Sequence, residues 1–280
     1  MPLDPQKLMA LQVPGRDVTY GEREILQYAL AVGLGAGGAD EDLPFVYERG
    51  VRVVPSLATV LAFDDDWIAA CGIDLRTVVH GALDLAFHRP LAPQGKASVA
   101  MRLVGLDDKG PGRGGLVFQE SVIAQAGVTA CTVLSTLFVR GAGGFGGAVG
   151  RVAAPHALPD SAPDATSAVA TAPNQALLFR LLGDRNPLHV DPAVARQAGF
   201  ARPILHGACT FGIACAEVLR RFCAHDPDRL ARLAARFAGP LYPGETLDFS
   251  FWRGPAGIGF RATAAERQAV VLDNGFAVTT

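Results

Sequence analysis

Apolar and polar residues alternate in some parts of the chain and recur at helical spacing in others. Leu247, Phe249 and Phe251 fall on one side of "TLDFSFW" and Asp248 and Ser250 on the other, the period-two signature of a half-buried strand. "EREILQYALAVGLG" has helical spacing. Thr19 reads as its cap, Glu22 three residues on closes a capping box, and Gly33 and Gly35 stop it. "EDLPFVYERGVRVVPSLATVLAF" mixes short strand-like runs with proline turns, and "DDWIAACGIDLRTVVHG" predicts a short helix ending before His80. "ASVAMRLVGL", "GGLVFQESVIAQ" and "TACTVLSTLFVR" predict successive antiparallel strands, with the glycines at 110–115 turning the first into the second.

A glycine-rich run follows at 141–147, and then "HALPDSAPDATSAVATAPN", which lacks steady periodicity. The composition predicts a linker over 148–172. Beyond it, "QALLFRLLG" predicts a helix. "GACTFGIACAEVLRRFC" predicts a long helix, apolar on nearly all sides and therefore deeply buried. Strands are predicted over the remainder. The organisation expected is an N-terminal unit 1–147, the linker 148–172 and a C-terminal unit 173–280.

The two units echo each other. His80-Gly81 precedes Phe87, Pro90, Leu91 and Pro93, and His206-Gly207 precedes Phe237, Pro240, Leu241 and Pro243. The Phe-x-x-Pro-Leu-x-Pro spacing is identical, but His-Gly stands 7 residues before it in the first copy and 31 in the second. The arithmetic suggests a duplicated helix-on-antiparallel-sheet unit whose first copy lost its long helix, leaving room for something long and apolar.

Composition narrows the class. Half the residues are apolar and 19% charged, enough for a substantial core. A net charge of -2 points to neither nucleic acid nor an anionic membrane as partner. No apolar run is long enough to predict a membrane span. The five cysteines are scattered without CxxC pairs, which argues against a disulfide scaffold or a zinc site and for a reducing compartment. "GAGGFG" at 141–146 satisfies GxGxxG. No helix pattern follows it, so it reads as a tight glycine loop, with Gly143 and Gly144 placed to meet a ligand through their backbones, and not as a dinucleotide fingerprint.

The densest chemistry lies in "GDRNPLHVDPAVARQAGFARPILHG", residues 183–207. Gly183 ends a helix, Asn186-Pro187 enforces a turn, and Asp191-Pro192 reads as the cap and first position of another short helix. Gly207 opens the buried helix, where free N–H groups and the positive end of the dipole suit a developing oxyanion. Asp184 and His189 across a small gap suit acid–base chemistry beside a carbonyl. Each also has a plainer reading: Asp184 as a turn residue, His189 as a core histidine, His206 as a cap. Asp184, His189 and His206 match no defended metal spacing, and no metal is expected. Phe200, Ile204 and Phe211 are candidate walls or core residues alike.

"LLGDRNPLHVDPAVARQAGFARPILHGACTFG" strongly resembles the hydratase 2 motif of the MaoC-like dehydratases, (R)-specific enoyl-CoA hydratases of the hotdog fold. "TYGEREILQYALAVG", "DLPFVYERG", "PLAPQG", "VRGAGGFGG" and "FAGPLYPGETL" extend the resemblance to the two-hotdog form over nearly the whole chain. It implies an α+β double hotdog whose first repeat has an eroded central helix, with the acyl chain in that space. It implies Asp184 and His189 as catalytic residues, Asn186 holding the water, and the Gly207 N–H receiving the thioester oxygen. His206, Phe200, Ile204, Phe211, Gly143 and Gly144 complete the expected substrate contacts. The implied reaction is syn hydration of a trans-2-enoyl-CoA to the (3R)-3-hydroxyacyl-CoA. It needs no cofactor beyond the coenzyme A of the substrate. A homodimer is expected, in the cytoplasm of a bacterium, since the chain ends "FAVTT" and not in Ser-Lys-Leu. Three competing readings stay open. A hotdog thioesterase would aim water at C1, an idle acyl-CoA binding protein would not turn over, and a split-site dehydratase would draw on His80.

Overall fold

Eleven strands organise the chain: β1 (Arg16–Tyr20), β2 (Val78–Phe87), β3 (Gly95–Asp108), β4 (Gly114–Gln125), β5 (Val128–Arg140), β6 (Val149–Gly150), β7 (Ala165–Ala170), β8 (Leu230–Phe237), β9 (Thr246–Gly254), β10 (Gly257–Ala264) and β11 (Ala269–Thr279). They come from a computed structural model that describes residues 2–38 and 40–280. Ten of them form one open antiparallel sheet in the order β1-β3-β4-β5-β2-β8-β11-β10-β9-β7, and the two-residue β6 pairs with β3. Read inward from either edge, the order within each half is the same: first strand at the edge, second at the seam. The seam is the pairing of β2 with β8, with Leu83 opposite Ala235 and Leu85 opposite Leu233. The chain is therefore a double hotdog, two helix-on-sheet repeats sharing one sheet.

The helix Gly207–Phe222 crosses the second repeat, and eleven of its residues from Cys209 to Leu219 are buried. Phe249, Phe251 and Phe260 meet it from the sheet, each at most 1% exposed, as the period-two pattern requires. Helix Glu22–Ala31 of the first repeat packs against it closely. A Cβ on Gly212 would stand 2.4 Å from Val32 Cγ1 and 2.8 Å from the Tyr28 hydroxyl, so only glycine fits there. The Arg220 guanidinium of the same helix donates to Asp42, which is 2% exposed, at 2.7 Å and ties the two repeats together.

Several sequence expectations are corrected. Thr19 lies in β1 and caps nothing. The helix begins at Glu22 after Gly21, whose N–H donates to the Glu24 carboxylate at 2.9 Å. The 148–172 segment is not free of structure, because β7 within it pairs with β9 from Ala165 opposite Phe251 to Ala170 opposite Thr246. The first repeat has not lost residues either. The stretches between first and second strand, 21–77 and 171–229, are nearly equal in length. What differs is continuity. The place of the long helix is taken by short pieces, Pro55–Leu57, Ala58–Leu61 and Asp66–Ala70. His80-Gly81 sits inside β2 and not at a helix start, so it is no structural counterpart of His206-Gly207.

All five cysteines are free thiols. No helix among the described residues is long and apolar enough to cross a membrane.

Candidate active site

The residues from 175 to 207 fold locally, as their sequence dictates. Helix Gln175–Phe179 tightens into the 3-10 turn Arg180–Leu182 and ends at Gly183, whose φ of 130° a side chain would resist. The Asp184 carboxylate then accepts from the Asn186 N–H at 3.1 Å, and the Asn186 side-chain oxygen accepts from the Leu188 N–H at 3.0 Å. These two Asx turns set the 3-10 turn Pro187–His189. Asp191 caps the helix Pro192–Gln197 through Ala193 and Val194, as predicted.

The result brings Asp184, His189 and His206 together, one ligand-type atom from each lying within 4.8 Å of the others. The His189 and His206 rings stack with centroids 3.6 Å apart, and Phe179 flanks His206 at 5.0 Å. Backbone carbonyls fix both tautomers. His189 Nδ1 is 2.8 Å from the Ile204 oxygen, so that nitrogen carries the hydrogen and Nε2 keeps its lone pair. His206 Nε2 lies 3.2 Å from the Asp184 carbonyl, which leaves Nδ1 as a bare acceptor, buried and without a partner.

Electrostatics keeps both rings neutral. Burial pushes His189 below the ordinary histidine value; the Ile204 carbonyl and the Asp184 charge oppose it, and the Arg180 charge adds to it. Burial, with His189 alongside, pushes His206 down to about 3. Two neutral imidazoles and a half-exposed carboxylate suit the holding of a water molecule. The same three atoms would span a cation, although the carbonyl-fixed tautomers leave each ring only one free nitrogen.

Gly207 follows directly, at the first position of the long helix, where its N–H has no intrahelical partner. A Cβ there would stand 3.2 Å from the Phe237 ring. That ring therefore borders the helix terminus on the side where a side chain of residue 207 would stand.

Other expected contacts are distributed differently. Ile204 contributes its carbonyl to His189, Phe200 is half-buried after the helix Pro192–Gln197, and Phe211 is fully buried in the main core. Gly143 and Gly144 belong to a loop whose N–H groups turn inward. Asp108 accepts from Gly144 and Gly146, each at 2.7 Å, and from Gly110 at 2.8 Å. Those bonds, led by Gly144, hold the Asp108 carboxyl down to about 2. A Cβ on Gly143 would collide with the Gly110 oxygen at 2.2 Å, so this glycine is a packing necessity. Two cavities of about 220 and 190 Å³ open elsewhere, around Phe87, Pro90, Leu91 and Pro227, and include none of these residues.

Two charged groups escaped the sequence reading. Arg180 acts on both histidines from within a helical turn. Burial, and after it the Asp184 charge, raise the carboxyl of Asp65, from the first repeat, above the ordinary carboxylate value. Neither stands in a recognisable motif.

Comparison with known proteins covers both repeats. Residues 18–141 match the MFE-2 hydratase 2 N-terminal domain, and residues 155–274 match the MaoC like domain. The chain is 37% identical over 288 residues to 3-hydroxyacyl-thioester dehydratase Y of Mycobacterium tuberculosis, covering 98% of each protein. It is 33% identical over 283 residues to an enoyl-CoA hydratase of the same organism, again covering 98% of each. The crystal structure of a MaoC-like dehydratase from Phytophthora capsici matches with a TM-score of 0.90 at 30% identity, over 99% of this chain and 98% of that one.

Proposed function

The chain belongs to the MaoC-like dehydratase family, and from that premise we propose that it hydrates trans-2-enoyl-CoA reversibly to (3R)-3-hydroxyacyl-CoA. One observation carries the reading: Asp184, a neutral His189 and His206 converge within 4.8 Å directly before the free helix N-terminus at Gly207. The Gly207 N–H receives the thioester oxygen and makes C3 electrophilic. Asp184 and the His189 Nε2 lone pair hold a water between them. As its oxygen bonds to C3, His189 takes a proton, and the C2–C3 electron pair shifts towards the thioester oxygen. His189 then delivers a proton to C2 on the same face, so addition is syn. Burial makes the transient imidazolium a stronger acid than free histidine, which favours this delivery, while the Asp184 charge stabilises it. Asn186 acts through backbone geometry, fixing Asp184 with its N–H and the His189 turn with its side chain.

The same reading includes a homodimer and a reducing, cytoplasmic setting. Leu30, Leu177 and Leu181, 48–59% exposed on two packed helices and the 3-10 turn that follows the second, support the dimer, and the free thiols support the setting. Light scattering that gives the mass of a single chain would remove the dimer.

The decisive experiment follows the enoyl absorbance of crotonyl-CoA with the wild-type and Asp184→Ala proteins, and determines the configuration of the product. Hydration to the R product, lowered about 10²–10⁴-fold in the variant, is expected. Release of free thiol with the enoyl signal intact would replace the proposal with a thioesterase.

A further inference from the structure

His80 is a half-buried residue with an enclosed Nε2 that the catalytic cycle above does not use. It stands on β2 of the first repeat, three residues inside the strand. The register of β2 against β5 runs His80 opposite Leu137 and then Ala82 opposite Thr136, so Gly81 is an extra, unpaired residue. Such a bulge reverses the facing of the side chain before it. Leu83 and Leu85 point to the helix side, where both are buried, and the bulge turns His80 to that side as well. There its ring packs on Phe237, with centroids 5.0 Å apart, and Phe237 is the ring that borders Gly207 at the helix terminus.

The polarity of His80 is not demanded by the fold. Phe87 and Phe237 close the equivalent strands β2 and β8 and open the same Phe-x-x-Pro-Leu-x-Pro spacing. Seven residues before them stand His80 and Leu230, so the second repeat fills this position with hydrocarbon. A histidine here leaves a fully buried Nε2 with no partner, a cost a leucine would avoid. The other ring nitrogen meets the Ala82 backbone in a bond that favours protonation, as donation to a carbonyl does, so Nδ1 carries the hydrogen. Burial pushes the ring down to about 4, and it is neutral at neutral pH. Nε2 is therefore a bare acceptor. It has no hydrogen to give to a thioester oxygen and needs a donor from a ligand.

We infer that His80 is a positioning residue supplied by the first repeat, whose Nε2 accepts a hydrogen bond from the amide N–H of the substrate's pantetheine arm. The inference rests on the thioester reading above. In pantetheine that amide is the first donor after the sulfur, two carbons away, and the sulfur must pass Gly207 for its carbonyl to be polarised. Acceptance by His80 fixes the arm and leaves the reacting carbons to the second repeat. The bond is the same in ground and transition state, so it acts on KM and not on kcat.

The test compares the crotonyl thioesters of N-acetylcysteamine and of 2-acetoxyethanethiol, which differ only by N–H against O in the arm. The wild-type protein is expected to favour the amide about three- to tenfold in kcat/KM, through KM. His80→Leu, matching Leu230, should bring that ratio to about one with kcat kept. His80→Gln retains an acceptor and should keep most of the preference, which also covers failure of the leucine variant to fold. An active wild type with no amide preference, or a preference unchanged in His80→Leu, overturns the inference and leaves the proposed function standing. A wild type that hydrates neither thioester overturns both.

Discussion

Replacing Gly207 by alanine separates the chemistry of the helix terminus from its stability. Gly207 does not need the left-handed region, so alanine adopts its backbone without strain. The new methyl would meet Phe237 Cε1 at 3.2 Å, Cζ at 3.3 Å and Cδ1 at 3.5 Å, contacts that a half-buried ring relieves by moving a few tenths of an ångström. Against this crowding stands the better helix propensity of alanine, up to about 1 kcal/mol. The net change in stability should stay within about 1 kcal/mol, a shift in Tm of roughly 2–4 °C for a chain of this size. The rate should behave differently. The methyl occupies the space between Gly207 and Phe237 beside the helix terminus, and there it crowds a thioester oxygen approaching the N–H. A donor that its oxygen cannot reach is lost, and one oxyanion donor is worth roughly 10²–10³ in kcat, or about 3–4 kcal/mol. The measurement is kcat and KM on crotonyl-CoA beside a thermal melt of the same preparation. A Gly207→Ala protein within about threefold of wild type in kcat would refute the placement of the oxyanion at this N–H.

Two further outcomes follow from buried ionisable groups. His206 and His80 have folded values of about 3 and about 4, both below the ordinary histidine value of about 6.5 in the unfolded chain. The unfolded state binds more protons between those limits, so stability is intact above about pH 6.5 and falls on acidification, by about 1.4 kcal/mol per pH unit for each ring. Urea unfolding should therefore show a loss of about 2–4 kcal/mol between pH 7 and pH 5, roughly halved in His80→Leu; a flat profile would contradict the burial of neutral rings. Arg220→Ala would strand the Asp42 carboxylate between the repeats and should cost about 3–5 kcal/mol while leaving kcat unchanged at temperatures where the protein is folded; a melt equal to wild type would deny the clamp.

The parts of this design that lie close together in sequence were legible from it. Asp184, Asn186, His189 and Asp191 all fall within eight residues, and turn and cap chemistry alone predicts their local geometry. Long helices and alternating strands were legible for the same reason. The misreadings share a cause in distance. Thr19 and Glu22 imitate a capping box, but β1 is claimed by β3, some eighty residues on. β7 looks like a linker because small polar residues suit an edge strand, and only β9 makes it one. The glycine loop resembles a ligand cradle until Asp108, 36 residues earlier, is found to occupy it. The His-Gly repeat is a coincidence of spelling, since one copy sits at a bulge and the other at a helix start. Asp65 reaches the site only through tertiary packing, whereas Arg180, four residues before Asp184, sits in a helical turn that carries no motif.

The seam between β2 and β8 also governs how the chain must be made. Ala82 and its partner Arg236 lie about 150 residues apart, a long loop to close before the pairing gives any return. During synthesis from the N-terminus, β2 emerges with β5 on one side and waits with its other edge open until nearly the whole second repeat has followed. An open strand edge is a template for pairing with a neighbouring nascent chain. Asp84, on that waiting edge, later receives Arg232 at 2.6 Å. Until then it is an unneutralised charge, and it repels another copy of the same strand. The ion pair that closes the sheet in the finished protein thus begins as a guard against premature partners.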